Sequence, residues 1–410
     1  LLILAIAIAA GVFVAPHARA WYRMRAARSA LARYHPEEAA PLLADCLRAW
    51  PNDAEARLLA SRAARQTGDL AEADRQLRLC QSLLGAGSKE VAFEWALLQA
   101  VGGNSREVEE FLQRRAEQDA DSRPLIWEAL IEGHTRVYRI LDALALADHW
   151  LQVDPENVRG LELRGLAFQH GKSAHKGTED LQRAIELDPT RDATRWHLIL
   201  GLLDMGSYGE SLKHLHYLER RRPDDPELQI RLARCHNLLG DAALARQILD
   251  AVLDTHPNNG LALRTRGQFA LADRQPKQAE RWLRRAEEVW PNDYQVHWLL
   301  FQSLQQQGKE ESAKAQLAAT EKIKERAERV GELSSRKLSE RPLDPALHYE
   351  MGVLLLRNGN ANAGKGWLLS ALNLAPDYRP AHAALADLYH REGDETRAAE
   401  HRRLGDGPTK

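Results

Sequence analysis

At 410 residues with a formal net charge of −2 and 28% charged residues, the chain carries no global field that would draw it to a nucleic acid or an acidic surface. Aromatic residues make up only 6% and Ala, Leu, Arg and Glu dominate, which favours helix and leaves out the β-branched runs of a buried parallel sheet. Three cysteines, Cys46, Cys80 and Cys235, are an odd number without C-x-x-C spacing, which excludes a disulfide framework and the common zinc patterns.

The chain opens with LLILAIAIAAGVFVA, fifteen residues without a charge, followed by Pro16, His17, Arg19 and the pair Trp21-Tyr22. At about 1.5 Å per residue this run gives about 22 Å, short of the roughly 30 Å hydrocarbon core by a gap that a few upstream residues would close. Ala18-Arg19-Ala20 fits a small-x-small cleavage site, whereas Trp21-Tyr22 and then Arg23, Arg25 and Arg28 suit the edge of a membrane. The balance favours an uncleaved single-pass anchor over 1–20, with a signal peptide as the alternative. The following arginines favour a cytoplasmic over a periplasmic position for the remainder.

Beyond residue 20 a period of 34 takes over. Pro155, Pro189, Pro223, Pro257 and Pro291 stand 34 residues apart, each after an apolar stretch of helical spacing and before polar residues. Pro51 and Pro376 carry the same motif outside that run. Proline cannot continue a helix, so each marks a stop. Midway between prolines lie Gly68, Gly103, Gly206, Gly240, Gly308, Gly359 and Gly393, at points where a tight helix–helix turn needs positive φ. About five residues later comes a small residue (Ala73, Ala143, Ala245, Ala279, Ala313, Ala398) that lets the second helix approach the first. One helical hairpin per 34 residues is the unit.

This pattern resembles the tetratricopeptide repeat family. In 158–190, Leu161, Gly165, Phe168, Leu181, Ala184 and Pro189 fall in the family's register, as do Trp127, Ala143 and Pro155 in the preceding stretch. The resemblance implies an all-α, right-handed solenoid of about eleven hairpins, starting near residues 20, 54, 89, 124, 158, 192, 226, 260, 294, 345 and 379 and preceded by an apolar N-terminal helix. The expected organisation is an anchor at 1–20, repeats one to nine at 21–320, an added helical segment at 321–344, and repeats ten and eleven at 345–410 ending in a polar capping helix. In the added segment Ile323, Ala327, Val330 and Leu338 keep helical spacing, which implies an elongated second helix or an added half-repeat, readable as a solvated extension or as a stripe for a partner or a second copy. The layout is also similar to that of bacterial tetratricopeptide proteins with a short N-terminal anchor, without their C-terminal rubredoxin-like module.

The remaining chemical motifs are weak. Gly359, Gly364 and Lys365 begin a phosphate-loop pattern, but its eighth position is Gly366 where Ser or Thr is required. Among sixteen histidines there is no H-E-x-x-H, and His297, His348 and His382 recur at the fourth position of three repeats, where the family places a packing residue. Cys46 and Cys80 recur at the small position of a second helix and read as core. No catalytic residue, cofactor or metal is expected, and no small-molecule substrate.

The resemblance further implies that the first helix of each repeat lines a concave groove through its second, fifth, ninth, twelfth and thirteenth residues. In the early repeats these positions supply Arg28, Arg62, Arg65, Gln66, Glu128, Glu132, Arg136, Glu162 and Gln169. The preferred groove is later in the chain: Trp196, Arg234, Asn237, Arg264, Gln268, Trp298, Gln302, Tyr349 and Arg357. Arg, Trp and Tyr dominate interface energies, and Gln can pair with an extended backbone. A non-enzymatic, membrane-tethered scaffold for a protein or peptide partner is the expectation. The alternatives are a regulatory or assembly subunit of an enzyme or transport complex, and an exported soluble binding protein.

Overall fold

The computed structural model describes residues 2–85, 87–103, 105–171, 173–333, 341 and 343–406, with side chains throughout these except 2–16, 105–107, 174, 327 and 406. Among the described residues there are helices and turns and no strand. The chain divides into two compact units, Leu1–His170 and Gly171–Lys410. The first holds α1 (Leu2–Ala32), α2 (Pro36–Ala49), α3 (Ala54–Gln66), α4 (Leu70–Leu84), α5 (Lys89–Val101), α6 (Ser105–Gln118), α7 (Arg123–Arg136), α8 (Ile140–Val153) and α9 (Val158–His170). The second begins with α10 (Ala174–Leu187), α11 (Asp192–Asp204), α12 (Tyr208–Glu219), α13 (Pro226–Leu238), α14 (Ala242–Thr255), α15 (Gly260–Ala272) and α16 (Pro276–Val289). It continues with α17 (Tyr294–Gln306), α18 (Glu310–Glu332), α19 (Pro345–Arg357), α20 (Ala361–Leu374), α21 (Arg379–Arg391) and α22 (Glu395–Asp406).

Within each unit the turns follow the sequence landmarks. The seven midway glycines all adopt positive φ, +99° at Gly240 for example, and where a hairpin lacks glycine Tyr34, Tyr138 or Arg274 takes that conformation at 57–58°. The alanines that follow are buried: Ala73, Ala143, Ala245 and Ala279 have no exposed surface. A methyl side chain there lets helix backbones close on one another, and the branched residues around it fill the space. The cluster of Ala245, Leu249, Phe269, Ala286 and Val296 joins four successive helices, so each hairpin buries its apolar face against the next.

At the proline turns a polar device recurs. An Asp or Asn caps the following helix through backbone N–H groups: Asp53 accepts from Ala56 (2.7 Å), Asn259 from Ala262 (2.9 Å) and Asp293 from Val296 (2.8 Å). At five of the proline turns the fourth residue of the following helix donates to the carbonyl of the proline six positions earlier. Arg195 bonds Pro189 (2.6 Å), Gln229 bonds Pro223 (3.0 Å), His297 bonds Pro291 (2.9 Å) and His382 bonds Pro376 (2.8 Å), while Arg57 does the same at Pro51. The histidines read as packing spacers are thus buried hydrogen-bonding groups that hold the turn; His348 bonds the Ser370 hydroxyl instead, at 2.7 Å.

Two expectations change. The single-pass N-terminal anchor, and with it the membrane location and the choice between cytoplasm and periplasm, is not upheld: among the described residues no helix is long and apolar enough to cross a membrane. The apolar run is not a separate helix, because α1 continues unbroken from Leu2 to Ala32 and becomes the first helix of the first hairpin. Its second half mixes Arg19, Arg23, Arg25 and Arg28 with Ala20, Met24, Ala27 and Leu31, which pack on Leu43 and Cys46 of α2. Fifteen apolar residues followed by such a stretch fall short of a hydrocarbon span.

The second change concerns the added segment. As an elongated second helix it takes α18 to 23 residues, but its stripe turns inward: Ile323 is buried, and Leu333 sits with Leu347 and Met351, with Val330 and Trp367 packed against them. Arg329 ties the helix to Glu350 of α19. The described part of the stripe is consumed by the chain's own packing; Leu338 and the Ala327 side chain lie outside the described residues.

Candidate partner-binding face

In the second unit the predicted residues occupy successive first helices α11, α13, α15, α17 and α19. Trp196 on α11 is half-buried, with the Arg231 guanidinium 5.7 Å above its ring. Arg231 is itself paired with Glu227 at 2.8 Å. Arg264 is paired with Asp293 at 2.9 Å and lies 5.2 Å from the Trp290 ring. Since Asp293 also caps α17, Arg264 serves the architecture of the next hairpin rather than standing free for a partner.

Arg234 differs. It is exposed, and among the described residues its side chain has no ion pair and no hydrogen bond. Partial burial foremost, then the nearby charges of Arg231 and Arg264, lower its pKa from the usual arginine value. Asn237 and Gln268 likewise have no side-chain hydrogen bond among the described residues. Trp298 is 37% exposed, stacked on Tyr294 (centroids 6.4 Å, planes 9° apart) and tilted against Phe301 at 5.3 Å, with Gln302 one turn further. Tyr349 packs edge-on to Tyr378 at 5.7 Å, and Arg357 offers its carbonyl to Arg326 while its guanidinium is unpaired among the described residues. A cation and amides without side-chain partners among the described residues, and one half-exposed aromatic ring, therefore lie on α13, α15 and α17.

The first unit has the opposite character. Arg28 is held by Glu55 (2.8 Å), Arg62 by Glu94 (2.9 Å), and Gln66 donates to Glu128 (2.7 Å). Arg159 bonds Glu128 (2.8 Å) and Glu162 (2.9 Å) and also reaches Glu132. Burial foremost, and then the charge of Glu128, push the Glu132 carboxyl up to about 7 against the pull of Arg159. Arg65, 1% exposed, stands 3.8 Å from Glu128 with no hydrogen bond on any of its three nitrogens. From the first turn Tyr34 packs edge-on against Trp150 of α8 at 6.4 Å and hydrogen-bonds Asn157. The charged residues expected to face a ligand there mostly face each other. Arg159, the hub, was not among the sequence candidates; Glu162 one helical turn after it was the available signal.

The other motifs resolve into packing. In the phosphate-loop look-alike Lys365 pairs with Glu392 (2.8 Å) over the Tyr389 ring. A Cβ at Gly364 would come within 2.9 Å of the Gly352 carbonyl oxygen, so that glycine permits the close crossing of α19 and α20. Cys46 and Cys80 are buried and point at the Ala20 and Ala54 carbonyls (3.3 and 3.4 Å), each 26 residues back. Among the described residues no group of three His, Cys, Asp or Glu is placed to hold a metal ion.

Two stretches, 24–77 and 202–268, match sequence models of the tetratricopeptide repeat. No curated protein matches the chain. Solved structures similar to it include yeast Tom70 (14% identity, TM-score 0.37, covering 95% of this chain and 85% of that one). A tetratricopeptide repeat protein from Parabacteroides merdae is similar at 17% identity and TM-score 0.36, over 70% of this chain and 99% of its own. The human IFIT1 dimer with PPP-AAAA is similar at 16% identity and TM-score 0.39, over 85% and 89%. Likenesses at these scores carry no argument about what this chain binds. The two repeat matches, built from hairpins of one design, make these stretches tetratricopeptide repeats.

Proposed function

We propose that the protein is a non-enzymatic interaction scaffold whose helices α13, α15 and α17 receive an extended segment of a partner protein. The observation that carries this reading is Arg234, an exposed cation beside two other guanidiniums and without a counter-ion among the described residues. Such a group gains from an incoming carboxylate or carbonyl. The unpaired amides of Asn237 and Gln268 can bond an extended backbone, and Trp298 offers a rigid aromatic surface of the kind that dominates interface energies. Tetratricopeptide repeats, one match of which includes Arg234 and Gln268, accord with a scaffold role.

A photo-crosslinking residue at Gln268 tests this. Partner adducts are expected with the wild-type background and lost with Trp298→Ala plus Arg234→Glu in a variant that still unfolds cooperatively. Arg264 is unsuitable for this test because its loss would disturb the Asp293 cap. Adducts that persist in the double variant, or a turnover by the isolated chain that a point change abolishes, would sink the reading.

A further inference from the structure

In the first unit α6 and α8 leave a cavity between them, with α7 as its floor, of about 340 Å³. That lies at the lower end of the range for small-ligand sites. Elsewhere on α7, a Cβ at Gly133 would overlap the Ala100 carbonyl oxygen, so only glycine lets α7 lie this close to α5. The floor is apolar, with Ile126 and Leu130, and the Trp127 ring meets His149 edge-on at 5.4 Å.

The rim is charged and unevenly matched. Arg139 bonds both Glu109 (3.3 Å) and Asp142 (2.6 Å), so two carboxylates share one guanidinium and a negative charge is left over. His134 lines the same cavity at 3% exposure. Its Nδ1 has no hydrogen-bond partner, and its Nε2 stands 3.8 Å from the Glu109 carboxylate, too far for a hydrogen bond. Burial first and Arg139 second hold its pKa down to about 4, so at neutral pH the ring is uncharged and keeps a lone pair to offer. An anion finds Arg139 already engaged.

We propose that this cavity binds an organic monocation, a protonated amine on an apolar or aromatic body, with the ammonium between Glu109 and His134 and the body against Trp127. The amine is either a free small molecule or the lysine side chain of a partner; the recognition chemistry is the same. The site shares no residue with the face on α13, α15 and α17, so it stands or falls independently of that reading.

Calorimetric titration of the full chain at neutral pH with phenethylamine, its neutral isostere 2-phenylethanol, and N-acetyl-lysine methylamide tests the proposal. One of the amines is expected to bind at least about tenfold more tightly than the alcohol. Tighter binding of the lysine derivative assigns the site to a partner's side chain, and tighter binding of phenethylamine to a free amine. Glu109→Gln should weaken the amine by about tenfold or more, as should Ala145→Phe, which fills the cavity from an exposed position and leaves every charge in place. Trp298→Ala should change nothing. Equal affinity for amine and alcohol, no saturable heat from either amine up to millimolar concentration, or full binding by the folded Ala145→Phe variant overturns it.

Discussion

Glu132 shows how a single carboxyl reports the interior of the first unit. It shares the Arg159 guanidinium with Glu128 and Glu162, and burial keeps it protonated up to about pH 7. The folded chain holds this proton across a window, from the ordinary value of 4.5 to about 7, in which the unfolded chain releases it. Stability from this group therefore falls as pH rises through the window. Glu132→Gln is expected to match the wild type near pH 5 and to exceed it near pH 8 by about 1–3 kcal/mol, read from thermal melts. An identical difference at both pH values would refute the assignment. His134 acts in the other direction: its folded pKa is depressed from 6.5 to about 4, so its contribution is complete above 6.5 and is lost as pH falls towards 4. Next to it, Gly133→Ala would drive a methyl group into the Ala100 carbonyl. A loss of about 2–4 kcal/mol in urea unfolding is expected.

At the scale of the element, the turns at Pro51, Pro223 and Pro291 are three-part joints: a helix stop, an Asp cap, and a fourth-residue donor to the proline carbonyl. His297 occupies the donor position and also accepts from Gln316 at 2.6 Å. His297→Leu would leave the Pro291 carbonyl without this donor and the Gln316 amide with only Glu287 (3.0 Å), at about 1–3 kcal/mol, measurable by chemical denaturation. The stops and glycine turns were legible in the sequence because they depend on backbone conformation within a few residues. The donor role of the histidines was not, since the same position is filled by Arg, Gln or His and only the geometry shows their common target. The α18 extension illustrates the same division. Its helical stripe could be read from spacing, but its inward direction depends on where Leu347, Met351 and Trp367 of later helices stand. Leu333→Ala, at a fully buried site, should cost about 2–5 kcal/mol, whereas Leu343→Ala, at an exposed site, should stay within about 0.5 kcal/mol.

Across the whole molecule the two units put one repeat design to different uses. In the first, the charged positions of the first helices are paired internally around Arg159 and Glu128; in the second, Arg234, Asn237 and Gln268 are left without internal partners among the described residues. Partner binding at α13 to α17 should accordingly weaken with Arg234→Glu and be indifferent to Arg28→Glu, whose partner is Glu55 at the surface. Binding curves for both variants check this. By itself the sequence determined the hairpin, its period and the positions of its stops and turns, because proline, glycine and alanine act through local backbone conformation and nearest-neighbour packing. Register also indicated which residues of a first helix share a face. Tertiary structure alone decided whether such a residue meets a partner: Tyr34 reaches Trp150 across 116 positions, Arg264 is claimed by a cap, and Arg234 is left over. It also joined the opening apolar run to the first hairpin and left the cavity between α6 and α8. Periodicity encodes the direction in which a side chain leaves its helix; what stands opposite depends on the whole stack.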